Sequence, residues 1–118
     1  MAARILIVDD HPSFRASARA LLEAEGYEVV GEAEDGQSAV RRARVLSPDV
    51  VLLDVQLPDI DGFEVAARLC AHPEPPAVVL TSSREASDYG SLPLRSGARG
   101  FVPKAELTGE GIAALLAA

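Results

Sequence analysis

Residues 47–66 read SPDVVLLDVQLPDIDGFEVA (Ser47 to Ala66), and the order of residue types in this stretch decides the fold. Val50, Val51, Leu52 and Leu53 are apolar at every position rather than at alternate ones, the pattern of a strand buried on both faces. GFEVAARLCA follows with helical spacing, and a doubly covered strand succeeded by a helix is the repeating unit of a parallel sheet. Asp54 is the anomaly. A buried strand has no need of an acid at its end, and burying a carboxylate is costly unless something is bound to it or paired with it.

Outward from this strand the same unit recurs. RILIV (Arg4 to Val8) reads as a first strand, and HPSFRASARALLEAEG follows with Phe14, Ala18, Leu21, Leu22 and Glu25 at helical spacing. Pro12 suits a first helical turn and Gly26 a helix end. YEVVGEA is a second strand, and GQSAVRRARVLS a helix with Ala39, Val40, Ala43 and Leu46 on one side. PAVVLTS is a fourth strand and GFVP a short fifth; TGEGIAALLAA closes the chain as a helix with Ile112, Leu115 and Leu116 turned inward. Five strands alternating with helices, under the right-handed crossover rule, predict a flavodoxin-like, doubly wound α/β sheet of order 2-1-3-4-5. The fourth helix is the exception: SREASDYGSLPLRSGARG contains Gly90 and Pro93, which predict a broken or mobile segment.

Composition narrows the function. The 118 residues suit one domain, 1–118, with a single core. A net charge of -7 argues against direct nucleic-acid binding. No apolar run approaches a membrane span, and MAARILIVDD turns acidic where a signal peptide stays apolar, so the expected location is cytoplasmic. The lone Cys70, beside Leu69, reads as a packing residue.

In an open α/β sheet, ligands lie beyond the carboxyl ends of the strands. There the chain places Asp9 and Asp10 after the first strand, Asp54 after the third, Thr81 and Ser82 after the fourth and Lys104 after the fifth. Three carboxylates at one edge repel one another and call for a cation. Oxygen-only ligands favour magnesium, with manganese or calcium as alternatives. A lysine and a hydroxyl facing a metal-bound carboxylate form a cradle for phosphoryl oxygens, which makes Asp54 a candidate nucleophile forming an aspartyl phosphate.

Four segments, ILIVDDHPSFR, PDVVLLDVQLPDIDGFE, VVLTSS and SGARGFVPKAEL, resemble the receiver domain of bacterial two-component response regulators, in order and over essentially the whole chain. The resemblance implies a signalling switch in which Asp54 accepts a phosphoryl group from a sensor histidine kinase. It implies that Asp10, Asp54 and the backbone carbonyl of Gln56 ligate Mg2+, with Asp9 acting through water, and that Lys104 contacts the phosphoryl group. The switch hydroxyl is Ser82 when counted back from Lys104 without a gap, or Thr81 when placed at the end of the apolar run. Phe101 takes the place of the switch aromatic, and KAEL replaces a commoner lysine-proline. DDHPSFR and KAEL most resemble the subfamily that carries a helix-turn-helix output. The partners implied are therefore the kinase, an output domain or partner protein, and a homodimer formed on phosphorylation.

Other residues have plainer readings. Asp59 and Asp61 in LPDIDG are turn and N-cap residues, His11 beside the acid pair could tune or bind a metal but reads more plainly as solvated or capping, His72 in a loop has no role, and the Arg41 to Arg44 run is a solvated helix face. Helix-dipole charge explains one acid of Asp9 and Asp10 poorly and the two together not at all. An aspartyl-phosphate phosphatase or phosphotransferase of the haloacid-dehalogenase type would place its nucleophile in an Asp-x-Asp after the first strand, whereas this pair is adjacent. A non-phosphorylated pseudo-receiver is opposed by the presence of Asp10, Asp54 and Lys104 together.

Overall fold

The structure, a computed structural model, describes residues 3–117. Its elements are β1 (Arg4–Val8), α1 (Pro12–Ala24), β2 (Glu28–Ala33), α2 (Gly36–Leu46), β3 (Val50–Asp54), α3 (Gly62–Cys70), β4 (Ala77–Ser82), α4 (Leu92–Arg95), β5 (Gly100–Pro103) and α5 (Gly109–Ala117). Two 3-10 turns, Ala86–Tyr89 and Lys104–Glu106, precede α4 and follow β5. The strands form one parallel sheet in the order β2-β1-β3-β4-β5, as the sequence predicts.

Alternation along the strands divides the core between the two faces of the sheet. Leu6, Val8, Val51, Leu53, Val78 and Leu80 pack with Ala39 and Ala43 of α2 and Val65, Ala66 and Leu69 of α3. Ile5, Ile7, Val50, Leu52 and Val79 pack on the other side with Ala18 and Leu22 of α1 and Ile112 of α5. All five β3 residues are buried, which is why Val50 to Leu53 are apolar without alternation. Glu25 shares the spacing of the inward α1 residues but ends as the exposed C-cap.

Helix starts bear out the plainer readings of the turn acids. Asp61 caps α3, accepting from the Glu64 amide at 3.0 Å. Asp59 accepts from the Gly36 and Gln37 amides at 2.7 and 2.9 Å, so the loop after β3 caps the start of α2 across the fold. The region expected to hold a fourth helix is divided at Gly90, whose φ of 60° and ψ of -127° suit glycine and end the helical path. Neither the Ala86–Tyr89 turn nor α4 contributes a buried residue.

Candidate functional site

The carboxyl ends of β1, β3, β4 and β5 bring the predicted residues together. Asp9 has no solvent exposure, Asp54 closes β3 with 2% exposure, and Asp10 and Gln56 lie exposed at the rim. Asp9, Asp10, Asp54 and also His11 offer ligand atoms that all lie within 4.8 Å of one another. Like charges at that separation repel by about 3–4 kcal/mol at an effective dielectric of 20, so a cation is required to hold the acids together.

Lys104 supplies part of that charge. Its Nζ lies 2.6 Å from Asp9 Oδ2 and 3.5 Å from Asp54 Oδ2, and 4.4 Å from the centre of the Phe14 ring. A cation over an aromatic face is held electrostatically, so α1 helps to fix the ammonium group. Asp9 Oδ2 is nevertheless buried without a well-directed hydrogen bond, while Oδ1 accepts from the His11 amide at 2.8 Å. His11 Nδ1 stands 3.0 Å from Asp9 and 3.1 Å from Asp10. The sequence weighs a metal role for His11 against a solvated or capping one; its ring is 64% exposed and touches both acids. Arg15 ties this corner to α1 by donating to the Asp9 carbonyl oxygen at 2.6 Å and to Glu32 at 2.9 Å.

Burial, and next the charge of Asp9, raise the pKa of Asp54 from 3.8 to about 6; the Gln56 amide, 3.2 Å from Asp54 Oδ1, and Lys104 work in the opposite direction. At pH 7 the group is still mostly ionised. It is thus an anion with little solvation, next to a lysine and a rim of further acids. Such an oxygen can attack an electrophile such as phosphorus. The acid-rich set of oxygen donors, only part of whose charge Lys104 offsets, fits a hard divalent cation.

Gly62 answers for its place in the opening sequence. Its amide donates to the Val55 carbonyl at 2.7 Å, and a Cβ there would run into the Asp54 carbonyl oxygen and come within 2.7 Å of Val55 Cα. The start of α3 therefore rests directly on the backbone of the acid.

The two candidate hydroxyls differ in their partners. Thr81, paired with Asp54 in the sheet, is fully buried and donates to the Val102 carbonyl of β5 at 2.7 Å. Ser82 Oγ accepts from the Arg84 amide at 3.1 Å and lies 2.8 Å from the Tyr89 hydroxyl. Tyr89 is a residue that the sequence reading missed. It falls in a segment with no clear period, and only folding brings it back over β4. Its ring meets Phe63 edge-on at 5.3 Å and Phe101 at 5.9 Å. A groove of about 650 Å³ near Pro48, Asp49, Pro75 and Pro76 lies at the amino ends of the strands, away from the acids. No helix among the described residues is long and apolar enough to cross a membrane.

Comparison with known proteins agrees with this geometry. The chain is 42% identical over 103 residues to the transcription regulator BvgA of Bordetella pertussis, covering 87% of this chain and 49% of BvgA. It is 36% identical over 113 residues to the DNA-binding transcriptional activator EvgA of Escherichia coli, covering 96% of this chain and 55% of EvgA. The chain thus spans about half the length of the curated relatives it matches. A LuxR-family two-component response regulator from Aurantimonas sp. superposes with a TM-score of 0.89 at 34% identity, over 99% of this chain and 86% of that one. These matches do not favour the haloacid-dehalogenase or pseudo-receiver readings. The model of the response regulator receiver domain matches residues 5–116, and the chain belongs to that family.

Proposed function

We propose that residues 1–118 act as one receiver domain and that Asp54 is its phosphoryl acceptor, with a sensor histidine kinase as donor. The single observation that carries this reading is the Lys104 ammonium held between Asp9 and Asp54, 2.6 and 3.5 Å away, on the same edge as Asp10. An Asp54 oxygen forms its bond to phosphorus as the phosphorus–nitrogen bond of the kinase phosphohistidine breaks, and the electron pair of that bond leaves on the imidazole nitrogen. Lys104 meets the negative oxygens of the transferring group, where a fixed cation lowers the barrier. Asp10, Asp54 and the Gln56 carbonyl would hold Mg2+, with Asp9 acting through water. When bound, the metal neutralises phosphoryl charge during transfer.

Ser82 is the proposed switch hydroxyl. What supports it over Thr81 is that the Thr81 hydroxyl is committed to the Val102 carbonyl in the sheet. Phe101, packed on Tyr89, is the proposed switch aromatic. The expected setting is cytoplasmic, with an output domain or partner protein reading the state of the domain, as the DNA-binding description of EvgA suggests, and a homodimer forming on phosphorylation.

The test is to incubate the chain with acetyl phosphate and MgCl2 and measure intact mass, followed by peptide mapping. The expected result is one phosphoryl adduct on Asp54, lost in Asp54→Asn and slowed in Asp10→Ala. An adduct on another residue, or equal labelling of the Asn variant, would overturn the assignment.

A further inference from the structure

The Tyr89 hydroxyl has no place in the proposed chemistry of the aspartyl phosphate, yet it is bonded to the residue assigned as the switch. Ser82 is fully buried, and its Oγ has one proton and two lone pairs. The Arg84 amide occupies one lone pair at 3.1 Å. Among the described residues the Tyr89 oxygen, 2.8 Å away, is the acceptor within reach of the Ser82 proton. Tyr89 itself is only partly buried and can give its own proton to water. Either oxygen can donate in this pair; Ser82 donating to Tyr89 is the arrangement that leaves no buried hydroxyl proton without an acceptor.

We infer that Tyr89 is a latch on Ser82, a positioning residue that holds the switch hydroxyl in its resting state and is released when Ser82 turns to a phosphoryl group on Asp54. This rests on the assignment of Asp54 and Ser82 above. A phosphoryl group offers acceptor oxygens only, so Ser82 must be the donor to it, and a hydroxyl with a single proton cannot serve both acceptors. Donation to the phosphoryl group therefore ends donation to Tyr89, and the Tyr89 hydroxyl must turn to water or reverse its bond. The consequence reaches beyond Ser82 because Tyr89 also packs against Phe63 of α3 and Phe101 of β5, at 5.3 and 5.9 Å. Phe101 brings no hydroxyl to this aromatic trio, so Tyr89 alone couples it to the hydrogen-bonding state of β4. No residue of the Ala86–Tyr89 turn that carries it is buried, and the half-buried Tyr89 ring is its contact with the core, beside Phe63 and Phe101.

The experiment measures the binding of beryllofluoride with magnesium, a phosphoryl mimic, to the wild-type chain and to Tyr89→Phe, Ser82→Ala and the double variant. Tyr89→Phe keeps the ring and removes the competing acceptor. It is expected to tighten binding about 2- to 10-fold, the range of one neutral hydrogen bond. In the Ser82→Ala background the same substitution is expected to change nothing, because there is no proton left to compete for. Equal or weaker binding by Tyr89→Phe, or an equal effect of Tyr89→Phe in both backgrounds, would overturn the latch while leaving the phosphoacceptor assignment standing. Wild-type binding that is absent or insensitive to Asp54→Asn would remove that assignment and the latch with it. A second readout is direct: the chain has two tyrosines and no tryptophan, so Tyr27→Phe leaves Tyr89 as the sole tyrosine emitter. Its emission is expected to change when the mimic saturates the site; an unchanged spectrum contradicts release.

Discussion

Asp9 holds the Lys104 ammonium at 2.6 Å from a carboxylate with no solvent exposure, closer than the 3.5 Å that separates the same nitrogen from Asp54. The lysine is therefore a structural partner of one acid before it is a contact for anything bound to the other. Removing it strands a buried charge, the expensive half of a broken ion pair.

Lys104→Ala is accordingly expected to cost about 3 kcal/mol of stability in the absence of divalent cations, as well as slowing phosphoryl transfer. Added magnesium should recover part of that loss by giving the acids another cation. Urea unfolding with EDTA and with MgCl2 checks both statements; equal stability of the two proteins in EDTA would show that the pair contributes nothing.

Asp54 gives a prediction in pH. Burial and the neighbouring Asp9 raise its pKa from 3.8 to about 6, so between those values the native state keeps a proton that the unfolded chain has released. The contribution of this residue to stability then falls as pH rises through that window, and the penalty is complete above about pH 6. Asp54→Asn should raise the melting temperature by a few degrees at pH 7 in EDTA, with the gain vanishing near pH 4. Thermal melts of both proteins across that range are the measurement, and a gain independent of pH would contradict it.

Gly62 tests the contact between α3 and the acid. In Gly62→Ala the new methyl group meets the Asp54 carbonyl oxygen and Val55 Cα, backbone atoms that cannot rotate away. A stability loss of about 2 kcal/mol and slower labelling of Asp54 are expected. Gly26→Ala is the contrast. That position has φ of 93° but open space around its Cβ, so it should lose stability through strain while labelling at the wild-type rate. Identical labelling rates for both variants would show that α3 does not position the acid.

Amide exchange addresses the segment from residue 84 to 96. Leu92 and Leu94 are 46% and 87% exposed, and the two short helical turns bury no residue. Its amides should exchange faster than those of α1 by about tenfold or more, equivalent to about 1.4 kcal/mol less local opening free energy, and gain protection with beryllofluoride. Protection equal to that of α1, or unchanged by the mimic, would rule this segment out as the part that changes order.

The strands, their order and the acid edge were legible in the amino acids because each rests on a local pattern. Val50 to Leu53 are apolar without alternation since both faces of β3 are covered, and Asp9, Asp10, Asp54 and Lys104 converge because all follow strands that run in one direction. The break at Gly90 was legible for the same reason, as a property of one residue's backbone. Three relationships were decided only by tertiary structure. Lys104 lies nearer Asp9 than Asp54, Asp59 caps a helix that begins 23 residues before it, and the Ser82 hydroxyl meets Tyr89 rather than Thr81's partner, the Val102 carbonyl. A sequence pattern records which face a side chain occupies and where an element stops. It does not record which of several nearby polar atoms a hydroxyl or an ammonium group will reach, because that depends on differences of about an ångström set by how helices and turns pack over the ends of the sheet.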